Sequence, residues 1–454
     1  MIKQLFIRLQ HPALLCLLTL FCFLPCQAQE IADRVDELMT AAMKSDHFNG
    51  SILITRNGKV IVSKGYGMSN IENDIPNTSQ TKFRIGSLTK QFTAMAIMML
   101  QERGKLNIEH PVCNYLTNCP EAWKPVTIHH LLTHSSGIPD YVNVWGYEKV
   151  LASPSPATDI LEIVKKAPVE FKPGKRFSYS SLGYILLGSV IEKSSGMSYE
   201  AFLRENIFKP LKMENTGYDN NKAILKHRAA GYSLQRNTLI NAPYIDMSLP
   251  FAAGGLYSTV EDLQLWDEAL YTEKLVGKKS LDAIFTAYAA EHGYGWQVTR
   301  HLNRKFIGHG GWINGFASSI ARYPEDKLCV IVLSNLDSVP VNTIARSLAA
   351  TAFGLKQTAP VQRKAIKLNP QIYDRYIGEY QLAPNFFVAV TREGDKLMGQ
   401  ATGQPKVELL PESDIEFFVK EYDAQIMFVY GDAGQITGAV VTFNGQQTQG
   451  EKIK

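Results

Sequence analysis

Residues 83–100 read FRIGSLTKQFTAMAIMML and place a Ser-x-x-Lys motif at the start of a strongly apolar helix. If this segment is helical, Ser87 and Lys90 share one face, with the lysine amine one turn above the serine hydroxyl. A desolvated lysine in that place can accept the serine proton and so produce a nucleophile. The helix N-terminus would also stabilise a developing oxyanion. The alternative for Ser87 is an ordinary helix-capping serine.

A Ser-x-x-Lys pattern alone is weak evidence for catalysis. Roughly two matches are expected by chance in a chain of this length at ordinary residue frequencies, and a second one does occur at Ser79–Lys82. Ser79 lies in a polar stretch after Pro76 and Asn77, whereas Ser87 follows a small glycine and opens the apolar helix. The context therefore favours Ser87 as the candidate nucleophile.

Two segments further along the chain carry polar groups that fit the same chemistry. His309-Gly310-Gly311 follows a strand-like run, and glycines on an edge strand let a substrate backbone approach closely. Tyr179 stands at the start of an apolar helix, where a phenol near a lysine can take part in proton transfer. Taken alone, a surface histidine in a tight turn and a core tyrosine remain the alternative interpretations.

A zinc site is a weaker hypothesis. His130 and His134 have the i, i+4 spacing of a zinc helix, but Leu131 stands where a zinc peptidase of that type has its glutamate base. We expect this segment to pack one helix and then turn near the cleft. The segment Phe251–Leu263 is similar, with a glycine turn followed by a helix capped by Ser258 or Thr259.

Taken together and in order, five segments resemble the serine β-lactamase and penicillin-binding-protein superfamily, particularly its class C β-lactamase and D-aminopeptidase/D-alanyl-D-alanine carboxypeptidase group. The matching segments are Phe83–Thr93, Leu131–Gly137, Pro173–Gly188, Ala252–Leu263 and Gly308–Phe316. Five ordered matches are far more specific than any single one. The resemblance implies an α/β fold, in which an antiparallel sheet is flanked by helices and carries a helical lobe.

The resemblance also implies a role for each residue of the site. Ser87 is implied as the nucleophile that becomes acylated, Lys90 as its activator, and Tyr179 as a second general acid/base. The oxyanion hole is implied at the backbone N–H groups of Ser87 and Trp312.

Two positions depart from the family's pattern, and both lie where substrate is held. The second motif is Tyr-x-Asn in the family, but Ser181 stands at the asparagine position and lacks its reach and second polar atom. Literal Tyr-x-Asn sequences occur at Tyr141–Asn143 and Tyr218–Asn220, in different surroundings. His309 and Gly311 take the place of the third motif, Lys-Thr-Gly or His-x-Gly, and histidine carries less positive charge than lysine near neutral pH. We therefore expect weaker recognition of β-lactams and D-Ala-D-Ala, and better recognition of esters or amine-terminated peptides.

Length and composition place the chain among multidomain globular proteins. It has 454 residues, of which 45% are hydrophobic and 20% are charged, which excludes disorder, collagen and coiled coil for its bulk. The formal net charge of only +4 gives no sign of a nucleic-acid-binding surface. From Tyr373 onward, short alternating runs between Gly, Asp and Asn turns predict a small all-β, barrel-like domain. That segment resembles the lipocalin-like domain attached to many such hydrolases.

The N-terminus predicts export. Lys3 and Arg8 form a basic start, Ala13–Leu24 is an apolar run too short to span a bilayer comfortably, and Ala28 ends a small-residue cleavage site. The alternatives are an uncleaved anchor and a lipoprotein at Cys26. We predict a signal peptide at 1–28, a catalytic domain at 29–356, a linker at 357–367 and a β domain at 368–454.

Three cysteines follow the predicted signal, Cys113, Cys119 and Cys329. Three thiols are too few for a disulfide scaffold. The spacing of Cys113 and Cys119 permits a bridge in an oxidising compartment, and two unpaired thiols are the equal alternative. No Cys/His cluster indicates zinc.

These observations predict an exported, periplasmic or secreted serine hydrolase without metal or cofactor. It is expected to work by acyl-enzyme transfer on a peptide, a D-amino-acid amide or an ester, with peptidoglycan fragments as one source of substrate and no nucleic-acid partner. The alternative is a penicillin-binding or ligand-sensing protein with little turnover. A metal hydrolase built around His130 and His134 ranks third, and the sequence leaves the oligomeric state open.

Overall fold

The computed structural model of the chain describes residues 13–140, 162, 164–235, 238–355, 365–383, 386–402, 406–419, 424–431, 434–443 and 446–454. Across these residues the chain forms an antiparallel sheet with a helical lobe, followed by a closed β-barrel. This confirms the predicted α/β architecture with an all-β domain after it. Over the same residues, none of the helices combines the length and apolar character that crossing a bilayer requires.

The helices of these residues are α1 (Ala13–Ser45), α2 (Thr89–Glu102), α3 (Ile128–Leu132), α4 (Ser181–Ser195), α5 (Tyr199–Leu203), α6 (Lys209–Leu211), α7 (Phe251–Gly254), α8 (Val260–Ala269), α9 (Lys278–Ile284) and α10 (Val341–Ala352). The strands of the α/β part are β1 (Gly50–Arg56), β2 (Lys59–Tyr66), β3 (Met68–Asn70), β4 (Ile75–Pro76), β5 (Phe83–Arg84), β6 (Gly217–Tyr218), β7 (Tyr232–Gln235), β8 (Thr238–Asn241), β9 (Leu256–Ser258), β10 (Gln297–His301), β11 (Arg304–Ile313), β12 (Phe316–Tyr323) and β13 (Leu328–Ser334). The barrel strands are β14 (Gly378–Ala383), β15 (Phe386–Glu393), β16 (Lys396–Ala401), β17 (Val407–Pro411), β18 (Glu416–Val419), β19 (Ala424–Tyr430), β20 (Ile436–Phe443) and β21 (Gln446–Lys452).

The main sheet joins distant parts of the chain. Its strand order is β10-β11-β12-β13-β1-β2, so the first hairpin pairs with a strand nearly 300 residues later. The hairpin turns at Asn57 and Gly58, whose φ angles of +53° and +72° are those of a type I′ turn. The sequence predicts both features, since Asn57-Gly58 between two strand-like runs is a strong hairpin signal and strand patterns at both ends of the segment indicate a sheet closed by distant parts of the chain. The structure has both.

Both faces of this sheet are covered. Along β13, Val330 and Val332 pack into the core under α1 and α10, while Ile331 and Leu333 pack into the core of the helical lobe. Successive strand residues point to opposite faces. A strand buried on both faces therefore has an unbroken apolar sequence, as residues 328–333 do.

Two predicted elements differ from the observed ones. The sequence pattern predicts a helix at Ile31–Met43, and this segment lies within α1, which begins at Ala13. The pattern also predicts a strand at Tyr294–Thr299, but the observed strand begins at Gln297, because residues 293–296 form a tight turn. There Gly295 has φ +76°, and a Cβ on it would lie 2.8 Å from the carbonyl oxygen of Lys90.

Cys113 and Cys119 form a disulfide, and Cys329 is a buried free thiol. The sequence allowed either a disulfide or two unpaired thiols for this pair, and the structure contains the disulfide.

The barrel has its own core. Its eight strands close where β14 pairs with β21, and its interior is filled by aromatic side chains. Tyr376, Phe417 and Phe428 are buried there with ring centroids 4.5 to 5.5 Å apart. Residues 1–12 of the predicted signal and 357–364 of the predicted linker lie outside the described residues, and the domain boundaries stay predictions.

Candidate active site

Ser87 and Lys90 meet at the start of α2. A 3₁₀ turn, Gly86–Leu88, leads directly into α2 and leaves Ser87 partly exposed. Lys90 is completely buried, and its Nζ donates to Ser87 Oγ at 2.9 Å and to the Ala253 carbonyl at 2.9 Å. Among the described residues no carboxylate pairs with Lys90. The amine is therefore placed to exchange a proton with Ser87.

The second Ser-x-x-Lys pattern has no such geometry. Ser79 lies in a surface turn, and no hydrogen bond among the described residues joins it to Lys82. The structure thus separates the two motifs as their sequence contexts predicted.

Close backbone contact brings β11 against the nucleophile turn. Gly86 has φ +48°, and a Cβ on it would lie 2.9 Å from the backbone N of Trp312. A Cβ on Gly311 would lie 2.2 Å from the Ile85 carbonyl oxygen and 3.1 Å from the backbone N of Ser87. The backbones at Ser87 and Trp312 therefore lie close together, as the oxyanion hole implied for their N–H groups requires.

β11 is an edge strand along only part of its length, and the third motif lies in that part. β10 pairs with its first half, up to Gly308, and β12 pairs with its other side. Only the stretch from His309 to Ile313 has one unpaired side among the described strands, and this side faces the nucleophile turn. Substrate can therefore reach the strand only at its second half.

Tyr179 lies beside Lys90, just before α4. Its ring centroid is 5.0 Å from Lys90 Nζ. No hydrogen bond of the described residues joins the Tyr179 hydroxyl to Ser87 or Lys90. Catalytic hydrogen bonds are often long in ligand-free proteins and tighten when substrate binds. A proton transfer by Tyr179 therefore requires substrate to bridge the gap or the side chain to move.

Ser181 begins α4, and its side chain reaches the same amine. Ser181 Oγ lies 3.5 Å from Lys90 Nζ, at the limit of a hydrogen bond. The carboxylate of Asp140 accepts hydrogen bonds from the backbone N–H groups of Ser181 and Leu182 at the helix N-terminus. Sequence reasoning missed Asp140, because nothing in its local pattern indicates contact with a helix start forty residues later.

His309 is an uncharged member of the site. Burial first, and the neighbouring charge of Lys90 second, lower the pKa of His309 to about 3. Its Nδ1 lies 2.5 Å from the carbonyl oxygen of Gly310, which only accepts, so Nδ1 carries the ring proton. The side chain thus offers a neutral Nε2 acceptor near neutral pH rather than a fixed positive charge.

Two further histidines lie beside these residues. The ring of His134 stacks on Tyr179, and His292 packs against Phe177 with centroids 4.6 Å apart. Burial is also the main cause that lowers the pKa of His134 and of His292. The wall of the cleft on this side is therefore aromatic and uncharged.

Both histidines that were considered as zinc ligands accept hydrogen bonds from backbone N–H groups instead. Nδ1 of His130 accepts from the N–H of Thr127, and Nδ1 of His134 accepts from the N–H of Ser180. Within the described part of the chain, no group of three or more potential ligands is suitably placed for a metal ion. The contacts of both rings therefore agree with the packing and turn roles predicted for this segment.

Comparison with known proteins shows the family of the chain. The Beta-lactamase family model matches residues 35–353, and a model described as a domain of unknown function (DUF3471) matches residues 362–452. The chain is 28% identical to Penicillin-binding protein 4* of Bacillus subtilis (strain 168), over 85% of this chain and 91% of that protein.

Two solved structures extend the likeness. An octameric penicillin-binding protein homologue from Pyrococcus abyssi is 29% identical with a TM-score of 0.66, covering 92% of this chain and all of that one. A penicillin-binding protein from Bacillus halodurans is 30% identical with a TM-score of 0.62, covering 70% of this chain and 99% of that one. The family match, these likenesses and the Ser87–Lys90 geometry lead to one conclusion: the chain belongs to the beta-lactamase family and is a serine hydrolase.

Proposed function

We propose that the protein cleaves esters or amides through an acyl-enzyme on Ser87. The observation that carries this proposal is the 2.9 Å contact between Lys90 Nζ and Ser87 Oγ, made by a buried amine with no carboxylate partner among the described residues. Once it has lost a proton, an amine at that distance can take the serine proton directly.

The proposed reaction has two steps. In the first, Lys90 takes the proton of Ser87 as Oγ attacks the carbonyl carbon, and the N–H groups of Ser87 and Trp312 stabilise the oxyanion. The carbonyl re-forms, the bond to the leaving group breaks, and the leaving group takes a proton from Tyr179 or Lys90. In the second step, water attacks the acyl-enzyme by the same route and releases the acid and free Ser87.

The cleft favours a substrate without a carboxylate at the third motif. His309 is neutral, so a substrate carboxylate finds no positive charge on that side chain. Ser181 reaches less far than an asparagine toward a substrate amide. Both features support esters, D-amino-acid amides and amine-terminated peptides over β-lactams, although the relatives are penicillin-binding proteins by name.

We also propose that the protein is exported to the periplasm or secreted. The support is the basic and apolar start of the sequence together with the Cys113–Cys119 disulfide, since disulfides persist in oxidising compartments.

The test is the mass of the intact protein over time with benzylpenicillin and, separately, turnover of p-nitrophenyl butyrate. Ser87→Ala should abolish any acyl adduct and lower ester turnover at least about 1,000-fold. Ser79→Ala is the matched control, because it changes the serine of the second Ser-x-x-Lys pattern and should leave both readings unchanged. Full turnover by Ser87→Ala would overturn the proposal.

The departure at Ser181 favours a second candidate function, a penicillin-binding or sensing protein with little turnover. An adduct that forms on Ser87 and persists for hours, without ester turnover, would support that function. An adduct that clears, or ester turnover without any adduct, would support the hydrolase.

A further inference from the structure

His134 contacts the ring of Tyr179, the candidate acid/base, and also accepts a hydrogen bond from the backbone of the next residue, Ser180. Its imidazole stacks on the ring of Tyr179, with centroids 4.4 Å apart and planes 28° apart. Its Nδ1 accepts the N–H of Ser180 at 3.1 Å. We propose that His134 is a positioning residue that sets the orientation of Tyr179 and Ser181 toward Lys90. This inference rests on the role proposed above for Tyr179.

The backbone of His134 fixes the same segment from the other side. Its carbonyl accepts the N–H of Ser178 at 2.8 Å. The residues immediately before and after Tyr179 are therefore both hydrogen-bonded to His134. His134 itself has φ +54°, a left-handed conformation that non-glycine residues rarely adopt. Such backbone conformations persist where the surroundings over-determine them.

The ring is neutral, and the groups that face it explain why. His134 is 2% exposed, and burial first, followed by the repulsion that a protonated ring would meet from the neighbouring His292, Lys90 and His309, holds its pKa well below the ordinary value. Since Nδ1 accepts a hydrogen bond, the single ring proton is on Nε2. A charged ring in this place would repel Lys90, so the imidazole supplies orientation without changing the charge of the site.

Two variants separate the two contacts. His134→Asn keeps an acceptor for the Ser180 N–H and removes the stacked ring, whereas His134→Phe keeps a ring and leaves that N–H without its partner. We expect kcat for p-nitrophenyl butyrate to fall about 100-fold in His134→Asn and about tenfold in His134→Phe, with KM changed less than about threefold. His301→Asn is the matched control, because His301 is another partly buried histidine whose Nδ1 contacts Tyr323; its kcat should stay at the wild-type value. Circular dichroism verifies that each variant is folded.

A double-mutant cycle then tests whether His134 acts through Tyr179. In a Tyr179→Phe background, His134→Asn should lower kcat by less than about threefold, because the group that it positions is gone. The same 100-fold loss in both backgrounds, or a kcat of His134→Asn near wild type, would overturn the inference and leave the proposed function intact. Wild-type activity of Tyr179→Phe would instead overturn the role of Tyr179, and the inference with it.

Discussion

At the scale of single residues, Ser181 limits substrate recognition, because its side chain is shorter than asparagine and has no amide group. Its hydroxyl only just reaches Lys90 Nζ, which donates to it at 3.5 Å. An asparagine at this position would add length, one carbonyl acceptor and two N–H donors. Ser181 is the first residue of α4. A longer side chain at this position would start from the same Cα atom and extend further.

Ser181→Asn should therefore restore recognition of a substrate amide. We expect the rate of acylation by benzylpenicillin to rise up to about tenfold, since one added hydrogen bond between neutral groups contributes about 0.5–1.5 kcal/mol. Turnover of p-nitrophenyl butyrate, which has no amide, should change less than about threefold. Intact mass spectrometry and an ester assay measure the two rates.

Ser178→Asn is the control for that variant, because it makes the same substitution three residues before Ser181. An equal change of penicillin acylation in both variants, or no change in Ser181→Asn, would contradict the prediction.

The residues of the site differ in how far the sequence could reveal them. Ser87, Lys90, Tyr179 and His309 stand in local motifs, so their order along the chain predicted that they would meet, and the structure brings them together. Asp140 could not be predicted from its own surroundings, because its partner N–H groups belong to a helix that begins forty residues later. Contacts between segments that are remote in sequence depend on the tertiary fold.

At the scale of elements, the decisive feature is the approach of β11 to the turn that carries Ser87. A Cβ on Gly311 would meet the carbonyl oxygen of Ile85 at 2.2 Å and Ser318 Oγ at 2.3 Å. Since a backbone oxygen cannot swing aside, any side chain at this position forces the strand and the turn apart. The strand and the turn can therefore lie this close together only because residue 311 has no side chain.

Gly311→Ala should for this reason lower kcat about 100-fold, the usual cost of losing one oxyanion donor. Gly310→Ala is a matched control on the same strand. Its Cβ would meet the amide of Asn342 at 2.7 Å, which is the free end of a side chain that can move. We expect Gly310→Ala to retain activity within about threefold of wild type. Equal turnover by both variants in the ester assay would contradict the role of this contact.

The elements were predicted best where the pattern is local. Asn57-Gly58 predicted the hairpin, and the apolar run at Cys329–Leu333 predicted a strand, because both depend on neighbours in sequence. The sequence could not predict that β10 pairs with only the first half of β11. The number of paired residues depends on where each strand begins and ends in the tertiary fold. The turn at Gly295, which packs against Lys90, makes β10 begin only at Gln297.

At the scale of the whole molecule, buried neutral histidines link stability to pH. The folded-state pKa of His309 is about 3, that of His301 is about 4, and that of His134 lies well below its ordinary value. In the unfolded chain each histidine titrates near 6.5. Below that pH the unfolded chain binds protons that the folded protein does not, so stability is full above about pH 6.5 and is lost as the pH falls.

We therefore expect the free energy of unfolding to fall between pH 7.5 and pH 5.5, by about 1 kcal/mol for a fully buried histidine such as His134. Urea unfolding at the two pH values measures the change. His134→Gln should show a smaller pH dependence than wild type, whereas His110→Gln, at an exposed position, should match wild type. An unfolding free energy that rises on acidification would contradict the prediction.

The barrel and the sheet have separate cores, which predicts that they unfold separately. Phe428 is 1% exposed and packs on Tyr376, Tyr380 and Phe417, all within the barrel. Phe428→Ala should cost the barrel about 3–5 kcal/mol. All five tryptophans precede residue 313, so their fluorescence follows the α/β domain alone, whereas far-ultraviolet circular dichroism follows both domains.

In Phe428→Ala, circular dichroism should therefore show an early transition in urea, while the tryptophan midpoint and ester turnover stay at their wild-type values. Phe386→Ala is the control, because Phe386 lies on the barrel surface with 41% of its area exposed; both midpoints should stay in place. If the tryptophan midpoint fell together with the circular dichroism transition, the two cores would form one cooperative unit. Loss of ester turnover below the first transition would mean instead that the barrel supports the site, which separate cores do not predict.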